Sequence, residues 1–110
     1  MKGKIVLIPF PFTDLTSTKL RPALVLYEGE KDVVVAFISS RITKTRSADV
    51  VIDESHPEFK KTGLKLSSTV KLDKIATISK ELMLGEIGEI GPKLKKEING
   101  KISKMFLLST

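Results

Sequence analysis

Arg21 and Ser39 are the two side chains of this sequence whose types and surroundings fit them to act on one anion. Arg21 stands at the mouth of an apolar run, residues 20–27, with Pro22 directly behind it. Proline fixes its own φ and pushes the preceding residue into an extended conformation, so Arg21 is expected at a strand end rather than in a helix. A guanidinium presents a planar fork of donors that matches a phosphate. A second apolar run, residues 33–38, ends in Ser39-Ser40-Arg41. The turn material at residues 28–32 predicts that the two runs pair as an antiparallel hairpin. Arg21 and Ser39 then lie side by side, a guanidinium and a hydroxyl within reach of one anion. Such a pair can hold a phosphate and stabilise negative charge that develops on it. It does not also supply a proton acceptor, since a guanidinium stays protonated. The sequence offers no convincing base. Its single histidine, His56, sits beside Pro57 in a polar stretch and reads as a solvent-facing residue.

The neighbours of this pair come from three stretches. Residues 5–8 form a continuous apolar run, as expected of a strand buried on both faces or lying in a small barrel. Pro9 and Pro11 then remove two backbone donors, so the chain must leave the sheet or follow an edge. Phe10 and Phe12, alternating with the prolines, are either core or a stacking surface for bases. Residues 13–19 form a hydroxyl-rich loop that runs from Thr13 to Lys19, just ahead of Arg21. Beyond Ser39, a basic segment carries Ser40, Arg41 and Lys44. Residues 49–53 make a short strand, and residues 54–63 a turn-rich loop. Residues 65–78 read as two strands or one bent strand, followed by a single helical turn at residues 79–82.

Residues 86–91, Glu-Ile-Gly-Glu-Ile-Gly, have the composition of a turn. Pro92 is well placed to open a helix. Leu94, Ile98, Ile102, Met105 and Phe106 recur at three- and four-residue spacing, which predicts an amphipathic helix packed by one face on the sheet. Lys93, Lys95, Lys96, Lys101 and Lys104 fall off that stripe and read as a solvated face. Asn99-Gly100 is a weak spot, since a glycine inside a helix costs on the order of 1 kcal/mol. The expectation is one domain over residues 1–110, mainly β with a C-terminal α-helix, its strands forming a small antiparallel barrel or strongly curved sheet.

With 110 residues the chain can bury one core but not two. It has no cysteine, which excludes a disulfide framework, thiolate catalysis and cysteine-ligated zinc. No apolar run approaches the length of a membrane span, and the first residues lack the pattern of a signal peptide, so the cytoplasm is the expected compartment. The net charge of +6 is uneven. Residues 1–55 carry eight basic and seven acidic side chains, residues 56–110 eleven and six. A pI near 9.6 fits a polyanionic partner, nucleic acid being the commonest.

Taken together, Gly3-Lys4-Ile5-Val6-Leu7-Ile8-Pro9-Phe10-Pro11-Phe12-Thr13-Asp14-Leu15, Arg21-Pro22-Ala23-Leu24-Val25-Leu26, Ala36-Phe37-Ile38-Ser39-Ser40 and the stretch from Gly63 to Ile75 resemble the MazF/PemK-like toxins of type II toxin–antitoxin systems. The resemblance spans nearly the whole chain. It implies an SH3-like barrel with a C-terminal helix, of the CcdB/PemK-like architecture, and a homodimer. It implies a metal-independent, sequence-specific endoribonuclease with no cofactor, which cuts single-stranded mRNA, leaves a 2′,3′-cyclic phosphate and inhibits growth. The family's catalytic arginine matches Arg21. Its catalytic threonine matches Ser39, which keeps the hydroxyl and loses the methyl that stiffens the rotamer. Phe10, Phe12, Thr13, Lys19, Ser40, Arg41 and Lys44 would then line the RNA groove. A cognate antitoxin with an acidic segment would compete for that groove. Two other readings stay open on the residues alone: a non-catalytic RNA- or DNA-binding module, and a protein-interaction module on the same barrel.

Overall fold

The computed structural model of the chain describes residues 1–10, 19–41 and 45–109, Phe10 by its backbone only. Six strands make up one antiparallel sheet: β1 (Lys4–Phe10), β2 (Lys19–Glu28), β3 (Asp32–Ser39), β4 (Asp49–Ile52), β5 (Ser68–Ser79) and β6 (Gly85–Glu89). They lie in the order β4-β5-β3-β2-β1-β6, and the sheet curls into a half-barrel with β4 and β6 on its two rims. A four-residue helix, α1 (Phe59–Thr62), precedes β5, and a longer one, α2 (Pro92–Met105), closes the chain. The expected barrel is thus an open one.

The curl follows from irregularities in the ladder. Pairing slips once between β1 and β6, once between β2 and β3, and most strongly between β3 and β5. There Ala36 pairs with Ile75 while Phe37 pairs with Lys71, so Leu72-Asp73-Lys74 bulge out of β5. Extra residues on one strand bend it and sharpen its twist. The stretch read as two strands or one bent strand is therefore a single bent strand. Pro9 is accommodated as expected, because β1 pairs with β6 only as far as Leu7, and beyond it that flank meets no strand among the described residues.

Strand alternation sorts the apolar side chains onto two faces. On one, Ile5, Leu24, Ile38, Val50, Val70 and Leu72 meet Leu94 and Ile98 of α2. On the other, Val6, Ile8, Ala23, Val25, Val33, Val35 and Ile78 form a second cluster inside the curl. Leu94 and Ile98 are buried and Ile102 and Met105 partly so, as the helical spacing predicts. Phe106 departs from it, capping the helix end with half its surface exposed. Truncating Leu94 to alanine would cost roughly 2–5 kcal/mol.

Two segments differ from the sequence-based expectation. The glycine-rich stretch expected to turn is the edge strand β6, stabilised by pairing with β1. The stretch read as a turn-rich loop contains α1, ended by Gly63 at φ +73°. Among the described residues no helix is long and apolar enough to cross a membrane.

Candidate active site at the ends of β2 and β3

The hairpin predicted from the sequence forms with the expected register. Ala23 faces Phe37 across β2 and β3, so the same register carried two residues further sets Arg21 opposite Ser39. Arg21 is also held from its other side by pairing with Ile8 of β1. Alternation along β2 puts it on the face of Ala23 and Val25, away from α2. Arg21, Phe37, Ile38, Ser39, Ser40 and Arg41 line one cleft of about 400 Å³.

Within it, Arg21 Nε is buried and has no hydrogen-bond partner among the described residues. A buried donor without a partner is uncommon, and its free energy penalty is relieved when a ligand supplies the acceptor. Ser39 Oγ accepts a hydrogen bond from the Arg41 amide at 3.1 Å, which fixes the hydroxyl oxygen and leaves its proton available to donate. Ser40 and Arg41 are exposed at the rim, and Lys19 is exposed two residues before Arg21, facing Phe10 along the ladder. Arg41 forms no ion pair among the described residues. The structure therefore brings Arg21, Ser39, Ser40 and Arg41 to one cleft, with Lys19 close by along β2. Phe12, Thr13, Lys44 and the side chain of Phe10 lie outside the described residues.

The polar side chains of the cleft are donors, and among the described residues that line it there is no carboxylate and no imidazole. It is suited to hold an anion and to donate hydrogen bonds to it, not to abstract a proton. His56 belongs elsewhere: its Nδ1 accepts from the Glu58 amide at 3.0 Å. Among the described residues no three histidine or carboxylate side chains converge as a metal-binding group.

A charged network that the sequence reading missed anchors the far end of the basic segment after β3. Arg46 reaches Asp73 at 2.8 Å, while buried Asp49 receives the Arg46 amide at 3.0 Å and the Lys71 ammonium at 3.1 Å. Burial pushes the Asp49 carboxyl up, but these partners outweigh it and hold it below the ordinary aspartate range. Phe37, Lys71 and Asp49 stand in one row across β3, β5 and β4, so the network ties the cleft's back wall to the segment's end. The sequence signal was a lone acidic residue opening an apolar strand.

Glu58 was also missed. Its two carboxylate oxygens accept the amides of Lys93 and Leu94 at 2.7 and 2.9 Å, capping α2 from outside the helix. The available signal was Gly91-Pro92, a helix start with no capping side chain of its own.

The family model for PemK-like, MazF-like toxins of type II toxin–antitoxin systems matches residues 1–106. Among curated protein sequences none matches closely enough to count as a relative. Solved structures of the same fold include the Mycobacterium tuberculosis toxin MazF-mt6, 21% identical with a TM-score of 0.74 over 97% of this chain and 99% of that one. A mycobacterial endoribonuclease in complex with its cognate antitoxin is 21% identical, TM-score 0.71, over 100% and 98% of the two chains. The MazE–MazF complex of Deinococcus radiodurans is 19% identical, TM-score 0.73, over 98% and 96%. At these identities the likeness establishes the fold, while the family match spans nearly the whole sequence. The chain belongs to the PemK-like, MazF-like toxins of type II toxin–antitoxin systems.

Proposed function

We propose that this toxin is a sequence-specific endoribonuclease that cuts single-stranded mRNA at the cleft between the ends of β2 and β3, with Arg21 and Ser39 as its catalytic residues. The observation that carries this reading is the buried Arg21 Nε, without a partner among the described residues, in a cleft shared with a donating hydroxyl. In the reaction the ribose 2′-oxygen bonds to the adjacent phosphorus and the P–O5′ bond breaks, leaving a 2′,3′-cyclic phosphate and a 5′-hydroxyl. Arg21 and the Ser39 hydroxyl bind the non-bridging oxygens as their charge grows. The 2′-OH proton passes to water, since the described residues of the cleft include no side-chain base, and the departing 5′-oxygen is protonated from Arg21 or solvent. Positioning and charge stabilisation then provide most of the rate, which suits a slow enzyme. Lys19, Ser40 and Arg41, with Phe10, Phe12, Thr13 and Lys44, guide the strand on either side.

The reading includes cleavage without a divalent metal, action in the cytoplasm, a homodimer, and an antitoxin whose acidic segment neutralises the cleft. That no base stands among the described residues of the cleft favours one second reading, a nucleic-acid-binding module without activity. Incubating the protein with a long mixed-sequence RNA in EDTA and mapping every new 5′ end separates the two. Discrete cuts at a recurring short sequence, lost in Arg21→Ala, are expected. Intact RNA that shifts in a gel would instead establish the binding module.

A further inference from the structure

Helix α2 carries five lysines against one glutamate, Glu97, and so accounts for four of the chain's six net positive charges. The half of the chain that builds the Arg21–Ser39 cleft has a surplus of one. Lys93, Lys96, Glu97, Gly100, Lys101 and Lys104 recur at three- and four-residue spacing and line one shallow groove on the outer side of the helix. Lys101 is engaged, reaching the Asp49 carbonyl and lying 3.7 Å from Glu97. Lys93, Lys96 and Lys104 form no ion pair among the described residues.

This arrangement runs against the helix's own interest. The first turn of α2 has no acidic residue, and Lys93, Lys95 and Lys96 crowd the end where the backbone dipole is already positive. Each cation there costs about 0.3–1 kcal/mol in place of the gain an acid would bring. Gly100 adds a propensity cost, yet a Cβ at that position would touch nothing, so packing does not require the glycine. It leaves the floor of the groove free of a side chain. Glu58 supplies the missing anion at the first turn, where it caps the Lys93 and Leu94 amides. Along the rest of the groove, Lys96 and Lys104 have no ion pair among the described residues and Gly100 has no packing role, so those choices lack a structural reason.

We propose that this lysine-lined groove is a second RNA contact, an exosite that holds the phosphate backbone of a long RNA on the face of the sheet opposite the cleavage cleft. The groove has no large apolar side chain, its lining being four lysines, a glutamate and a glycine. A protein partner would need an apolar anchor there, whereas a phosphodiester backbone needs only spaced cations. The proposal rests on RNA being the substrate, and the experiment tests the two claims separately.

The variant Lys96→Glu/Lys104→Glu is compared with a control, Lys31→Glu/Lys74→Glu, of equal net charge. Binding is measured to a long 2′-O-methyl RNA, which lacks the attacking hydroxyl and stays intact. The α2 variant is expected to weaken binding roughly tenfold at low salt and to flatten the plot of log affinity against log salt by about 1.4. Cleavage of a short RNA that spans only the cut site stays at the unsubstituted rate. A slope equal to the control's overturns the exosite, as does a loss confined to duplex DNA or to vesicles of anionic phospholipid. If the unsubstituted protein cuts no RNA but the slope still falls, the exosite stands and the ribonuclease reading fails. Thermal unfolding of both variants is run in parallel, and an α2-specific unfolded fraction at the assay temperature large enough to account for the affinity loss also overturns the proposal.

Discussion

The cleft at the ends of β2 and β3 and the junction of α1 with α2 handle polar groups in opposite ways. At the junction nearly everything is satisfied. Glu58 caps α2 with both oxygens, its own amide binds His56, and Thr62 Oγ1 bridges the Phe59 carbonyl and the Leu64 amide. Gly63, Gly88 and Gly91 let backbone meet backbone and carboxylate with no room for a Cβ. At the cleft, Arg21 Nε is buried without a partner and Arg41 stands unpaired among the described residues. Satisfied groups in close contact are architecture, while a donor left wanting in a cleft is poised for something outside the chain.

Substitutions on the two sides should therefore separate activity from stability. The largest effect is expected from Arg21→Ala, which lowers the cleavage rate about 10²–10³-fold while leaving the urea midpoint unchanged. A fall in midpoint with intact cleavage would make the Arg21 side chain structural and erase the contrast. Gly63→Ala comes next. The new Cβ falls on the Ile87 carbonyl at a positive φ, so stability drops by about 1–3 kcal/mol in urea unfolding with the turnover of folded protein unchanged.

Glu58→Gln sharpens the comparison through pH. Burial pushes the Glu58 carboxyl up, but the Leu94 and Lys93 amides hold it below the ordinary glutamate range. A lowered folded value means the contribution is complete above that range and is lost as pH falls through it. The wild-type Tm should thus fall on acidification by more than that of Glu58→Gln, and parallel curves would refute the cap's ionic character. The smallest effect belongs to Ser39→Thr. Restoring the methyl stiffens the hydroxyl's rotamer and raises cleavage by less than about threefold, read from initial rates on one oligonucleotide.

The hairpin was legible because its information is local. Pro22 fixes the approach of Arg21, the turn at residues 28–32 fixes the register, and the pairing of Arg21 with Ser39 follows. The helix stripe was legible for the same reason, apart from Phe106, which lies one residue past the last turn. β6 was not, because Gly85, Gly88 and two glutamates have turn composition, and only pairing with β1 and the close approach of α1 make them a strand. The network of Arg46, Asp49, Lys71 and Asp73 joins residues 22 to 27 apart through a bulge that no periodicity announces. The lysines of α2 were read as solvated, which is what amphipathic spacing alone implies. Their meaning rests on where the rest of the charge lies.

Among the described residues the open half-barrel leaves β4 and β6 as its two rim strands, and both are built to resist polymerisation. β4 is only four residues long, and β6 has five, two of them glycines and two glutamates. Short, charged, glycine-broken rims make poor templates for another strand. A chain that can do without a closed barrel in this way can hold an open, donor-lined cleft and an open sheet together and still present poor edges to its own copies.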